Sequence, residues 1–194
     1  MVWNMRTEKV EALRCFLAAF WLLVVPFRWI SAVILGTAIH ECMHLLVLRL
    51  LGCKVYEIKF TLSGIYICTA PMKPVQEIIC AAAGPAGSLL LMLFVRRFPE
   101  LALCGFIQGL YNLLPAYPSD GGRILRCLCR GMHPARVCMI ETAARRICEF
   151  LIMIAALACF LIFPRWFPVI LPGTVWVLLR LEGKIPCIDA AFQV

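Results

Sequence analysis

The chain has 194 residues, of which 63% are hydrophobic and 15% charged, with a mean hydropathy of +0.91 and a formal net charge of +8. No soluble domain of this size hides that much apolar surface, so the composition selects a polytopic membrane protein and leaves no length for an appended soluble domain. The basic residues sit at the ends of apolar segments, as orientation signals do, which argues against a nucleic-acid partner.

Six apolar segments follow one another. The first, Leu13–Val25, comes after Arg6, Lys9 and Arg14 and has the outline of a signal peptide. No small-residue cleavage site follows it, since Pro26-Phe27-Arg28-Trp29 is the wrong chemistry, so an uncleaved span is expected. The second, Trp29–Leu51, contains His40-Glu41-Cys42-Met43-His44. Two of the chain's three histidines fall there, four residues apart, on one face of the expected helix, so both imidazoles can reach a single metal. Glu41 lies about 100° round the helix from His40, placed to take a proton from a water beside the metal. Imidazoles and a carboxylate at membrane depth are costly, which favours a function for them.

Between the second and third spans Tyr56, Ile58, Phe60 and Leu62 alternate with Glu57, Lys59, Thr61 and Ser63. That period of two predicts a strand, and Ser63-Gly64 before Ile65-Tyr66-Ile67-Cys68 predicts a hairpin at the membrane surface. The third span, Val75–Val95, holds Gly84, Gly87 and Ser88 beside Ala81, Ala82 and Ala83, a composition that lets two helices approach closely. The fourth, Leu101–Pro118, is interrupted by Pro115 and Pro118, where the helix must open. The fifth and sixth are Ile147–Phe163 and Trp166–Leu181. With both termini in the cytosol, 15 of the 19 lysines and arginines face the cytosol, and Arg28, Arg96, Arg97 and Arg165 remain opposite. Arg123–Arg130 and Arg145-Arg146 then read as anchors at anionic lipid heads. The twelve cysteines form no C-x-x-C pair and read as small buried hydrophobes; Cys127 and Cys129 alone are a weak metal signal.

A catalytic zinc needs a third protein ligand. His133 is available but follows Gly131-Met132 in a basic stretch and reads as a surface residue. Asp120 stands just after the broken helix and before Gly121-Gly122, where irregular backbone can line a wet cavity. The competing reading is an ordinary turn with a solvated aspartate; H-E-x-x-H elsewhere in the chain favours the ligand.

His40–His44, Gly84-Pro85-Ala86-Gly87-Ser88 and Asn112-x-x-Pro115-x-x-Pro118-x-Asp120-Gly121-Gly122, in that order, resemble the site-2 protease family of intramembrane zinc metalloproteases, and the last motif is similar to the branch containing stage IV sporulation protein FB. The resemblance covers roughly residues 29–130 within one membrane domain, 1–194. The apolar segments, the charge split and the alternation together give the expected fold, an all-α membrane protein of about six transmembrane helices with a small β-hairpin between the second and third. The resemblance implies one zinc per chain on His40, His44 and Asp120, Glu41 as catalytic glutamate, and Asn112 and Pro115 as substrate-positioning residues. The expected substrate is a membrane-embedded or membrane-associated protein cut near the cytosolic side, releasing a cytosolic regulator, in a bacterial cytoplasmic membrane. Family members commonly carry asparagine where this chain has Ser88. The rival readings are a proteolytically silent scaffold of the same fold and a metal or proton transporter. Intact Glu41 argues against the first, and a single broken helix against the second.

Overall fold

A computed structural model describes residues 13, 15–17, 19–20, 22–61, 64–162, 174–175 and 177. The sixth expected span lies almost wholly outside these residues. Helical residues within Cys15–Val24 lead to Pro26, and α1 then runs over Phe27–Leu50. Its buried residues are Ala32, Gly36, His40, His44 and Leu48, a strict four-residue ridge on an otherwise apolar helix. Small residues at one end of that ridge let the bundle close on it, and the histidines take the middle.

Strands β1 (Val55–Thr61) and β2 (Gly64–Thr69) pair antiparallel, with Thr61 opposite Gly64, so the hairpin expected from the alternation is present. Ala70 N–H donates to the Lys54 carbonyl at 3.0 Å and closes its base.

Helix α2 (Pro74–Leu90) opens with proline at its first position, and the Lys73 N–H donates to Gln76 Oε1 at 3.1 Å. It continues as a 3₁₀ turn over Leu91–Phe94. Helix α3 (Pro99–Leu113) crosses it, with Gly105 and Gly109 set against Ser88, Leu89 and Leu91. A Cβ on Gly105 would stand 2.7 Å from the Ser88 carbonyl oxygen, so glycine sets this spacing. Among the described residues two helical stretches, Phe27–Leu50 and Pro74–Phe94, are long and apolar enough to cross a membrane.

Helix α3 stops at Leu114, whose ψ of 133° is the extended conformation that a following proline imposes. The fourth segment is therefore helical only to Leu113, and the break expected from the prolines falls there. After a cis Tyr117-Pro118 bond, Ser119 caps α4 (Asp120–Leu128), accepting the Gly122 N–H at 3.4 Å. The Ser119 hydroxyl also lies 2.5 Å from the Leu114 and 2.6 Å from the Ala116 carbonyl oxygens, so one side chain ties the broken backbone together. Helix α5 (Pro134–Ile162) begins thirteen residues before the apolar Ile147, because hydropathy marks where a helix turns greasy and not where it starts. Ala116 of the break is buried against Cys148 of α5.

The basic stretch behaves differently from a set of free lipid anchors. Arg126 makes a two-pronged pair with Glu141 of α5, at 2.7 and 3.1 Å, and stacks 4.8 Å over the Tyr117 ring. Arg130 reaches Glu77 of α2 at 3.0 Å. These charges hold α4 against α2 and α5.

Candidate metal centre

His40 and His44 project from the middle of α1, and Asp120 comes to them from the first turn of α4, eighty residues on from His40. All three are buried, at 3, 4 and 7% exposure. His40 Nε2 is 3.1 Å and His44 Nε2 3.3 Å from Asp120 Oδ2, and the two Nε2 atoms are 3.2 Å apart. The imidazoles meet edge to face, with ring planes at 82°.

The outer ring nitrogens explain why the inner ones converge. His44 Nδ1 faces the Cys80 carbonyl at 2.8 Å, and since a carbonyl only accepts, Nδ1 carries the proton and Nε2 is a bare lone pair. His40 Nδ1 lies 2.9 Å from the Ser88 hydroxyl, which accepts equally well and leaves the second Nε2 bare in that tautomer. With both imidazoles neutral in these tautomers, two lone pairs and a carboxylate oxygen converge on one point, a donor set suited to a cation. A tetrahedral zinc with ligand bonds of ~2.0–2.1 Å has ligand atoms about 3.3–3.4 Å apart. The observed 3.1–3.3 Å triangle is close to that spacing, so the donor set fits a zinc-sized cation. Arg123 holds the other carboxylate oxygen, Oδ1, at 3.5 Å.

Three glycines make the approach possible. A Cβ on Gly84 of α2 would overlap His44 Nε2 and stand 2.7 Å from His40 Cε1, so α2 passes directly over the rings. Cβ atoms on Gly121 and Gly122 would run into the backbone of Leu113 and of Ala116 and Tyr117, which packs α4 onto the break and delivers Asp120.

The remaining expected site residues stand as follows. Glu41 is half-buried on α1, next to His40. Asn112 is buried on α3, and its amide nitrogen donates to the Gln108 carbonyl, one turn back, at 3.1 Å. Pro115 is exposed in the break. Among the described residues neither Asn112 nor Pro115 is hydrogen-bonded to the His–His–Asp group. His133 is exposed and accepts the Ala135 N–H at 3.3 Å, capping α5 away from the centre. Burial, with Glu77 beside it, pushes the Cys127 thiol up to about 11, so it is protonated and a poor ligand or nucleophile. The residue that the sequence reading missed is Ser88, which reads as packing but is wholly buried against His40. The signal was available: a hydroxyl among alanines and glycines at membrane depth needs a partner.

This geometry sets a hairpin between two apolar helices and brings a carboxylate from a broken helix to a histidine pair, and the fold that carries it is similar to that of a solved site-2 protease. The solved site-2 protease of Methanocaldococcus jannaschii superposes with a TM-score of 0.57 and 21% identity, covering 91% of this chain and 88% of that one. A zinc metalloprotease of the same organism is 28% identical over 123 residues, which cover 56% of this chain and 35% of the relative, so the chain spans about a third of that protein's length. No family model matches the chain. The resemblance to the site-2 protease family therefore holds, while neither relative singles out the stage IV sporulation protein FB branch.

Proposed function

We propose that the protein is an intramembrane zinc metalloendopeptidase, with His40, His44 and Asp120 as the ligands of one zinc per chain and Glu41 as general base. The observation that carries this reading is the buried triangle of two Nε2 atoms and Asp120 Oδ2, at 3.1–3.3 Å. Zinc held there supplies Lewis-acid polarisation and lowers the pKa of a bound water to ~7. Glu41 takes a proton from the attacking water and passes it to the leaving amine. Ser88 and the Cys80 carbonyl keep the imidazoles in their binding tautomers, and Arg123 steadies Asp120.

A helical substrate cannot be cut until it unwinds, because its carbonyls are already bonded and covered. The strand edges of the β1–β2 hairpin offer backbone partners to such an extended segment, and Asn112 and Pro115 border the break where it would lie. The substrate class is a membrane-embedded or membrane-associated protein cut near the cytosolic side, with release of a cytosolic regulator. This reading places the whole chain in a bacterial cytoplasmic membrane, with six spans and both termini inside.

Co-expression with candidate single-span proteins tests the proposal. Glu41→Gln keeps shape and ligands but cannot act as a base, so it should retain zinc and lose ~10²- to 10⁴-fold in rate, leaving substrate uncut. Full cleavage by zinc-loaded Glu41→Gln would refute the mechanism. A wild type that cuts none of a broad substrate set would favour the silent scaffold.

A further inference from the structure

A second polar locality lies at the opposite end of α1 from the hairpin. Arg28 precedes His40 by twelve residues, about 18 Å along a helix. There the first turns of α1, the residues before α3 and the start of α3 form an open surface cavity of about 200 Å³. Its polar lining is Arg28, Ser31, Arg97 and Glu100, and Leu35 and Phe98 are among its apolar walls.

The charges do not cancel. Arg28 is 3.5 Å from Glu100, with its side chain 79% exposed, a pairing too open to be strong. Arg97 has no carboxylate partner among the described residues; its guanidinium lies 6.0 Å over the Phe98 ring. The cavity therefore carries two guanidinium groups against one carboxylate. It sits where the apolar face of α1 begins, with Leu35 and Phe98 about half exposed beside it. Its volume is below the ~300–1,000 Å³ of small-molecule pockets.

We propose that this cavity binds the phosphate of an anionic phospholipid. Arg28 and Arg97 hold the phosphate oxygens, with Ser31 alongside, and the acyl chains descend over Leu35 and Phe98. Planar guanidinium forks match phosphate oxygens, and the apolar walls select a lipid over a free anion. The Glu100 carboxylate competes for Arg28 and sets the affinity. The site is separate from the metal centre and does not depend on proteolysis.

The test titrates the full chain in detergent micelles with phosphatidylglycerol or phosphatidylcholine and counts bound lipid by native mass spectrometry. One phosphatidylglycerol should bind saturably, with phosphatidylcholine much weaker. Arg28→Ala and Arg97→Ala should each weaken binding about tenfold, the loss of one charge-assisted contact. Glu100→Gln should tighten it, while Arg96→Ala, which removes a neighbouring charge outside the cavity, should leave it unchanged. Millimolar inorganic phosphate should not displace the lipid. Equal binding of both lipids, indifference to Arg28 and Arg97, or an equal loss in Arg96→Ala would overturn the site; full displacement by phosphate would overturn the lipid assignment.

Discussion

Ser88→Ala isolates the contact that orients the His40 ring. The hydroxyl lies 2.9 Å from His40 Nδ1 and the serine is wholly buried, so no water from outside replaces it. Its removal strands a buried N–H, which costs about 1–3 kcal/mol. With 1.4 kcal/mol per factor of ten, that is about 5- to 150-fold in metal affinity, the range in which loss of a ligand's hydrogen-bonding partner falls. The assay is competition for zinc between purified protein and a chromophoric chelator, with thermal unfolding run alongside. Ser31→Ala is the control, because that hydroxyl donates to the Arg28 carbonyl near the far end of α1. Zinc affinity within twofold of wild type in a folded Ser88→Ala protein would show that the Ser88–His40 contact does not orient the ligand.

Gly84→Ala should abolish zinc retention while the protein still inserts, since the added methyl overlaps His44 Nε2; metal analysis of the purified variant decides. Asp120→Ala should lose zinc and His133→Ala should not, because His133 caps α5 away from the centre; the reverse pattern would reassign the third ligand. Glu141→Gln should destabilise the protein by about 2 kcal/mol, less than the ~3–5 of a fully buried pair because the Arg126 side chain is 29% exposed. Denaturant unfolding measures that loss, and no change would mean that Arg126 finds water instead.

The parts of the molecule governed by local chemistry were legible in the chain. A four-residue histidine spacing on an apolar helix fixes which face is buried, and the alternation from Tyr56 onward fixes a strand. Pro115 forces Leu114 out of the helix, so the break expected across Asn112–Pro118 falls at Leu114. What was not legible depends on contacts between distant segments. Ser88 is one of several small residues in its span, and only the arrival of His40 from α1 gives its hydroxyl a purpose. Arg126 and Arg130 look alike in sequence, yet one pairs with a buried glutamate on α5 and the other with Glu77 on α2. The start of α5 was missed because Arg136, Glu141, Arg145 and Arg146 interrupt the apolar residues of its first turns.

The four-residue ridge of α1 also acts as a ruler. His44 and His40 stand six and ten residues before Leu50, the last residue of the helix, or about 9 and 15 Å along its axis. A chain entering from the hairpin end in extended form covers that distance with about three to five residues, at ~3.3 Å each. Rigid attachment of both imidazoles to one unbroken helix thus converts sequence spacing into depth. On the protease reading proposed above, the bond presented to the centre would be set by how many residues of an extended substrate lie beyond the end of α1, whatever their side chains.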